Sequence, residues 1–284
     1  MNALQNLHYL FHHDYYKNLA ESNQALTKRQ FAPGSRGIPF AQQSFVLKTQ
    51  YPGPLLGLGY PHDNGSGEPE IVKLGFSLDY VSGLPVIPGS TVKGVLRSLF
   101  RKTGAHEYTK NLGNLPSLDA VKDLEKALFD AESKDAYFDA YPITEKKPLL
   151  AFESITPHDK QNLKDPVPIR LLKVPPEVEF LFRFQLNDWE GRFSSEEKLD
   201  LFKELLKFTG IGAKTNVGFG GLTDGDAKGP YMMLEMCGAG AGQVRPAVQK
   251  EAGICGKCGI PTGKKADGTY HPFCYNCNQA RGRN

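Results

Sequence analysis

Hydrophobic residues recur along the chain with two different spacings, and these predict both helices and strands. Spacings of three and four residues predict helices over residues 3–20, 90–101, 117–133 and 196–209. Alternation of apolar and other residues predicts strands over residues 44–50, 72–80, 136–143, 149–155, 169–174 and 178–186. Strands and helices are mixed along the chain without a fixed repeat, which favours an α+β fold.

The first predicted helix carries a group of histidines. Its apolar face contains Leu4, Leu7, Phe11 and Tyr15. His12, His13 and Asp14 lie beyond that face, with His8 on its flank. Such residues could act in acid–base catalysis, but neighbouring side chains on a helix point about 100° apart. The spacing therefore favours a solvated face over a catalytic group.

The segment GLPVIPGSTVKGVLRSLFR, residues 83–101, is the most informative part of the sequence. Ser90 follows a Pro-Gly turn, where we expect the N-cap of a helix. The apolar face of that helix contains Val92, Val95, Leu96, Leu99 and Phe100. A second face carries Lys93, Arg97 and Arg101, which we call the basic ridge.

Two interpretations of the basic ridge are open. A free helix N-terminus beside three cations is an arrangement that binds phosphate groups. An exposed helix with ordinary surface cations has the same residue types. Gly94 has no side chain and so allows another backbone to approach closely. Because Lys93 and Arg97 lie off the apolar face, we expect their substitution to change stability by less than ~0.5 kcal/mol.

A glycine-rich loop, GIGAKTNVGFGG over residues 210–221, follows the last predicted helix. It is not a phosphate-binding P-loop, because Ala213 and Phe208 stand where that motif requires glycine and because a helix precedes it. The loop still offers backbone N–H groups, with Lys214, Thr215 and Asn216 as polar contacts.

Together, IPGSTVKGVLRSLF and GIGAKTNVGFGGL resemble the paired signature of the repeat-associated mysterious proteins (RAMP) of CRISPR effector complexes. YFDAYPI, ITPHDK and DPVPIRLLKV are similar, more narrowly, to the sixth-subunit family of the type III-B (Cmr) complex. This resemblance implies a ferredoxin-like, RRM-derived core with insertions. It also implies a non-catalytic subunit. The implied partners are the 3′ part of the guide RNA, target RNA paired with that guide, and other Cmr subunits. The implied RNA-binding residues are Ser90, Lys93, Arg97, Lys214, Thr215 and Asn216, and the basic ridge adds Arg101 to the predicted RNA-binding set.

The net charge of +3 conceals an uneven distribution. Residues 237–284 carry seven basic and two acidic side chains, which leaves 27 basic and 29 acidic groups on the rest of the chain. The tail is therefore basic and the body nearly neutral, so RNA binding by the body requires local clustering. The chain has neither a signal peptide pattern nor an apolar run of about 18 residues, which predicts a soluble, cytoplasmic protein without membrane partners.

Four of the five cysteines form two CxxC pairs, Cys255/Cys258 and Cys274/Cys277, separated by fifteen residues. This spacing predicts a zinc ribbon with four thiolate ligands and structural Zn²⁺. Two disulfide bonds are the alternative, but the sequence has no export signal that would indicate an oxidising compartment. His271 is an alternative ligand, and a surface histidine is the simpler interpretation. The predicted organisation is a RAMP-type domain over 1–236, a Gly/Ala-rich linker over 237–253 and the ribbon over 254–284.

Two other functions remain open. One is a CRISPR-associated ribonuclease that uses His12, His13, His158 or Asp139, although Asp139 lies in an apolar strand where a structural carboxylate is the simpler interpretation. The other is a zinc-ribbon regulator, which leaves the 236-residue body unexplained. The sequence contains no evident set of convergent acid and base groups, and it therefore favours an RNA-binding subunit.

Overall fold

The computed structural model describes residues 6–30, 41–101, 103–130, 133–144, 147–156, 168–189, 193–225, 253–254 and 261–262. The chain divides into two units, Met1–Gly238 and Ala239–Asn284. The residues predicted to bind zinc, Cys255, Cys258, Cys274 and Cys277, lie outside the described residues, as do His158 and His271. The linker and the ribbon stay predictions.

Helices and strands are mixed in the first unit, as the spacing of apolar residues predicts. The helices are α1 (Leu7–Tyr9), α2 (Leu19–Lys28), α3 (Gly89–Arg101), α4 (Thr103–Leu112), α5 (Leu118–Phe129) and α6 (Ser195–Thr209). The strands are β1 (Gln43–Thr49), β2 (Ala136–Tyr137), β3 (Tyr141–Pro142), β4 (Ala151–Ile155), β5 (Ile169–Lys173), β6 (Glu179–Gln185) and β7 (Leu222–Asp224). In the second unit, β8 (Gly253–Ile254) pairs antiparallel with β9 (Pro261–Thr262).

The main sheet has the strand order β2-β6-β1-β7, and β3 also pairs with β6. All of these pairings are antiparallel. With β2 and β3 taken as one interrupted edge strand, the chain runs β1, α3, β2/β3, β6, α6, β7. This β-α-β-β-α-β arrangement is consistent with the ferredoxin-like core that the resemblance implies. The hairpin of β4 and β5 is an insertion with its own two-stranded pairing.

One face of the sheet is aromatic. Phe180, Phe182 and Phe184 of β6 are each at most 1% exposed. The ring of Phe45 on β1 lies 5.5 Å from Phe182, and the ring of Phe202 on α6 lies 5.6 Å from Phe184. The alternation over residues 178–186 therefore correctly predicts the strand that faces the helices.

Capping residues define two of the helices packed on the sheet. The side chains of Ser194 and Glu197 form a reciprocal capping box at the start of α6, and Gly210 ends the helix at a φ of 69°. Ser117 caps α5, the helix predicted over residues 117–133. The sequence pattern did not predict α2 or α4.

The described part of the apolar face predicted for the N-terminal helix is buried, but the segment is not a regular α-helix. Leu7, Phe11 and Tyr15 are each at most 1% exposed. The backbone is α-helical only over α1, then π-helical over Leu10–Asp14 and 3₁₀-helical over Tyr15–Lys17. We call residues 6–17 the N-terminal segment.

The strand predicted over residues 72–80 is wrong. The segment makes only isolated bridges, which are Pro61 with Leu74, Val72 with Arg170, and Leu78 with Pro85. Its backbone hydrogen bonds go to separate neighbours, so no continuous ladder forms. The predicted strand over 136–143 is also interrupted, because Ala140 exchanges both backbone hydrogen bonds with Ile87 instead of continuing the pairing with β6.

A buried ion pair joins α6 to the residue before β2. The Nζ atom of Lys198 lies 2.7 Å from Oδ2 of Asp135, and the two side chains are 3% and 2% exposed. Oδ1 of Asp135 accepts a hydrogen bond from the backbone of Asn187 at 2.8 Å. Both charges are thus compensated where water is excluded. Within the described parts of the chain, no helix has the length and apolar character needed to cross a membrane.

Candidate nucleic-acid interface

Helix α3 begins at Gly89, so the prediction of Ser90 as its N-cap is wrong. The carbonyl oxygen of Pro88 accepts hydrogen bonds from Thr91 at 2.8 Å and Val92 at 3.1 Å. The Gly89 N–H donates to Oδ1 of Asp139 at 2.7 Å. A carboxylate near a helix N-terminus satisfies an unpaired N–H and the positive end of the helix dipole. Ser90 is one residue into the helix, and its side chain is exposed.

The basic ridge divides into two parts, because its arginines pair with acidic residues of and just after α5. Nε of Arg97 donates to Oε1 of Glu125 at 2.7 Å, and Nη2 of Arg97 donates to Asp130 at 2.6 Å. Nε of Arg101 donates to the same Oε1 of Glu125 at 2.8 Å. We call these four residues the α3–α5 clamp. Its formal charges sum to zero, so Arg97 and Arg101 contribute little positive potential.

The environment of Glu125 shows how the clamp is stabilised. Burial alone would raise the pKa of this carboxyl, but hydrogen bonds from Arg97 and Arg101 together with their charges hold that pKa below its usual value. The Glu125 side chain is 14% exposed, whereas those of Arg97 and Arg101 are 27% and 59% exposed. The clamp therefore lies at the boundary between the helix interface and solvent.

The first turns of α3 remain open to a ligand. The Nζ atom of Lys93 lies 5.6 Å from the centre of the Tyr137 ring, and the Lys93 side chain is half-buried. A Cβ atom added to Gly94 would meet no atom within 4 Å. A glycine inside an exposed helix costs about 1 kcal/mol relative to alanine. We call Ser90, Lys93 and Gly94 the α3 patch.

The glycine-rich loop connects α6 to the edge strand β7 and is held against the chain that follows β1. The N–H of Ala213 donates to the carbonyl of Leu55 at 2.8 Å, and that of Ile211 donates to Gly220 at 2.9 Å. At Gly212, where φ is 101°, a Cβ would lie 2.5 Å from the Leu55 carbonyl oxygen. This glycine is therefore required by backbone packing.

The tip of the loop is exposed and carries the residues predicted from the sequence. Lys214 has a left-handed backbone with φ of 58°, and a 3₁₀ turn over Thr215–Val217 follows it. The side chains of Lys214, Thr215 and Asn216 are exposed, and Val217 is 64% exposed. We call Lys214, Thr215 and Asn216 the loop tip.

The α3 patch and the loop tip belong to opposite edges of the sheet. Helix α3 begins beside Asp139 and Ala140, between the edge strands β2 and β3. The loop leads directly into β7, the other edge strand. Three interstrand spacings of ~4.8 Å separate these edges, or about 14 Å. A ligand that contacts both groups must therefore span the width of the sheet.

The described residues that were considered for catalysis, His12, His13 and Asp139, do not form one group. Asp139 caps α3, which fits the structural interpretation of this carboxylate. His12 and His13 are exposed on the N-terminal segment. Partial burial and then the neighbouring His8, His62 and His13 lower the pKa of His12 to about 4, which leaves it neutral at pH 7. Within the described ranges, no group of three or more His, Cys, Asp or Glu side chains is arranged to hold a metal ion.

Comparisons with known proteins agree with the sequence resemblance. The sequence model of the RAMP superfamily matches residues 63–223, a range that includes both the α3 patch and the loop tip. The CRISPR system Cmr subunit Cmr6 of Pyrococcus furiosus is 26% identical over 56% of this chain and 64% of its own length. The match thus spans less than two thirds of that relative.

Two solved structures are also similar. One is a chain of the type III-B Cmr-beta complex bound to cognate target RNA, determined by cryo-EM, with 23% identity, a TM-score of 0.47, and coverage of 75% of this chain and 64% of that chain. The other is the crystal structure of Cmr6 from Pyrococcus furiosus, with 25% identity, a TM-score of 0.39, and coverage of 65% and 97%.

The α3–α5 clamp implies that Arg97 stabilises the fold, which the position of Arg97 off the apolar face of α3 does not suggest. Arg97→Ala removes the charged hydrogen bonds to Glu125 and Asp130. We expect the free energy of unfolding to fall by about 1–2 kcal/mol, measured by urea denaturation at low salt, with a smaller loss at high salt. Lys122→Ala is the control, because it removes an exposed pair with Asp119 on α5 and should leave the free energy of unfolding close to that of the parent. Parent-like stability of Arg97→Ala would show that the clamp contributes nothing.

Proposed function

The chain belongs to the RAMP superfamily, and from that premise we propose that it is a non-catalytic RNA-binding subunit of a type III-B CRISPR effector complex, acting in antiviral defence. The observation that carries this proposal is the match over residues 63–223, which includes both exposed polar groups of the candidate interface. The similarity to a protein named as a Cmr subunit supports the assignment to the Cmr complex. Guide RNA, target RNA paired with it, and neighbouring Cmr subunits are the proposed partners.

The α3 patch is the first proposed RNA contact. Lys93 supplies a cation, Ser90 a hydroxyl group, and Gly94 a position where a sugar-phosphate backbone can approach the helix. The cost of a glycine inside a helix has no evident compensation from packing, because nothing lies within 4 Å of its Cβ position. A ligand that occupies the space beside Gly94 would explain why a glycine stands at this position in the helix.

The loop tip is the second proposed contact. Its exposed Lys214 provides charge, and Thr215 and Asn216 provide hydrogen-bonding groups that suit phosphate and ribose oxygens. Because the body of the protein is nearly neutral, two small clusters at opposite edges of the sheet account better for RNA binding than a general positive surface.

The two arginines have a different proposed role. Arg97 has its guanidinium engaged by Glu125, Asp130 and the carbonyl of Phe129, so it positions α3. Arg101 uses Nε on Glu125, and its side chain is 59% exposed. Its outer guanidinium edge can therefore reach a phosphate, although Glu125 reduces the benefit. We rank Lys93 above Arg101, and Arg101 above Arg97, as RNA contacts.

Substitutions in the α3 patch and the loop tip should separate RNA binding from folding. Lys93→Ala and Lys214→Ala should each weaken RNA binding and flatten the slope of log affinity against log salt by about one unit. Gly94→Ala should raise the free energy of unfolding by up to about 1 kcal/mol and still weaken binding. Fluorescence anisotropy with labelled guide RNA, alone and in the assembled complex, measures the affinity.

Lys122→Ala is the matched control for charge, because Lys122 is an exposed lysine on α5 that belongs to neither the α3 patch nor the loop tip. Parent-like binding and assembly of all three variants at every salt concentration would contradict the proposed interface. The same samples, incubated with Mg²⁺ or Mn²⁺, should show no RNA cleavage. Turnover that His12→Ala, His13→Ala or Asp139→Ala abolishes would instead support a ribonuclease.

We also propose that Cys255, Cys258, Cys274 and Cys277 bind one structural zinc ion. Four thiolates in two CxxC pairs match the ligand number and type of a closed tetrahedral site. The antiparallel pairing of β8 with β9 supports this proposal, because the sequence that connects these strands contains Cys255 and Cys258. The ion would hold the two halves of the ribbon together.

Metal removal tests the ribbon. Structural zinc contributes about 10–16 kcal/mol to the folding of small zinc peptides. We therefore expect one zinc per chain by elemental analysis, and loss of it after chelation or in Cys274→Ser, while the unfolding transition of residues 1–236 persists. Cys237→Ser is the control and should keep the metal, because Cys237 is outside both CxxC pairs. Absence of zinc from parent protein prepared under reducing conditions would refute the proposal.

A further inference from the structure

Five aromatic rings form a continuous row along the N-terminal segment and the chain beside it. From one end to the other they belong to Tyr80, His8, His12, His62 and Tyr16, which we call the ring row. The centroids of successive rings lie 5.2, 4.4, 6.3 and 5.5 Å apart. Tyr80, His12 and Tyr16 are exposed, and the other two are half-buried. The ring row therefore presents aromatic side chains to solvent, and the α3 patch and the loop tip do not account for it.

The backbone that carries the ring row is firmly held. Phe11 and Tyr15, which lie between members of the row in sequence, are fully buried. The Tyr15 hydroxyl accepts a hydrogen bond from the N–H of Val72 at 3.0 Å. The Asn6 amide donates to the carbonyl of Tyr80 at 2.9 Å and to that of the next residue at 3.0 Å. Because the rings are positioned before any ligand arrives, a ligand that stacks on them pays little cost for ordering the backbone.

Tyr80 is the most open member of the row. Its side chain is 76% exposed. Its ring meets the ring of His8 edge-on, with an interplanar angle of 69°, and the rings of His8 and His12 are tilted by 47°. An edge-on contact covers at most one face of one of the two rings. The Tyr80 ring therefore keeps a face that a flat ligand can cover.

Charged groups beside the ring row are paired or neutral. Lys17 lies 2.8 Å from Asp14, and Lys73 lies 4.0 Å from Asp63. Partial burial and the neighbouring histidines lower the pKa of His12 to about 4, so its ring is uncharged at pH 7. A phosphate backbone is attracted by an excess of cations, which this surface lacks. Nucleic-acid bases need only an aromatic face, because every base has a π-face of its own.

The ring row begins at the same edge of the sheet as the α3 patch. Asp79, which precedes Tyr80, accepts a hydrogen bond from the Tyr141 hydroxyl at 3.3 Å. Gly89, the first residue of α3, donates to Asp139 at 2.7 Å. Asp139 and Tyr141 are two residues apart along this edge, or about 7 Å in an extended chain. A single RNA strand that contacts the α3 patch can therefore continue onto the ring row.

We propose that the ring row binds unpaired RNA bases by stacking, with Tyr80 and His12 as the main contacts. This inference rests on the proposed function, which supplies the RNA, and it adds the part of the RNA that is recognised. Cations of the α3 patch contact phosphates, and the ring row contacts bases. Because stacking hardly distinguishes one base from another, the ring row selects single-stranded over paired RNA and not a particular sequence.

Fluorescence anisotropy of the full chain with two labelled RNAs tests the ring row. One is oligouridylate, and the other is an oligoribonucleotide of the same length without bases. Tyr80→Leu keeps an apolar side chain but removes the aromatic face, so it should weaken the binding of oligouridylate about tenfold. Its affinity for the abasic RNA and its slope of log affinity against log salt should match those of the parent. His12→Leu should act in the same direction.

Two tyrosine variants are the controls. Tyr80→Phe keeps the ring and should bind both RNAs like the parent. Tyr51→Leu should also do so, because Tyr51 is 83% exposed and lies outside the ring row. Equal losses for the two RNAs, or parent-like binding of oligouridylate by Tyr80→Leu and His12→Leu, would overturn the proposal. Variants that bind RNA normally but fail to assemble with Cmr subunits would also overturn it, because the row would then be a protein contact.

Lys93→Ala separates this inference from the proposed function. It removes a phosphate contact, so its loss of affinity should be the same for both RNAs. If Lys93→Ala behaves in this way while the ring variants bind like the parent, only the ring row is wrong. If the parent binds neither RNA, alone or in the assembled complex, the proposed function fails together with the ring row.

Discussion

The antiparallel pairing of β1 with β6 is the interaction on which the rest of the structure depends. It aligns Phe45 with Phe182 and Leu47 with Phe180, and this aromatic face is where the helices pack. The same pairing leaves β7 on one side and β2 with β3 on the other. The start of α3 and the glycine-rich loop are therefore attached to opposite edges of one sheet, and their separation follows from the pairing rather than from either segment alone.

Local sequence signals predicted the elements whose stability is local. The helices predicted over residues 117–133 and 196–209 are confirmed as α5 and α6, and their N-caps at Ser117 and Ser194 each act within one helical turn. The alternation over residues 178–186 predicted the central strand because that strand is buried on the aromatic face. The strand predicted over residues 72–80 has a similar alternation but makes isolated bridges, one of them from Val72 to β5, and alternation does not supply a continuous partner.

The candidate site could be predicted only in part, because its geometry depends on distant partners. Ser90 looked like a helix cap, yet the carboxylate at the α3 N-terminus comes from Asp139, 50 residues further along the chain. Arg97 looked like a surface cation, but Glu125, 28 residues away, engages it. No local pattern marks Glu125 or Asp130 as a partner of the ridge. Gly94 and the loop tip are exposed, as the sequence interpretation requires, whereas Lys93 is half-buried beside the ring of Tyr137.

We propose that RNA contacts this subunit at both edges of its sheet, through the α3 patch and the loop tip. Ultraviolet crosslinking of guide RNA in the assembled complex, followed by mass spectrometry of the attached peptides, tests this most directly. We expect nucleotide adducts on peptides that contain Ser90–Lys93 and Lys214–Asn216, and none on the α5 surface around Lys122. Adducts confined to other segments, with both of these peptides unmodified, would contradict it.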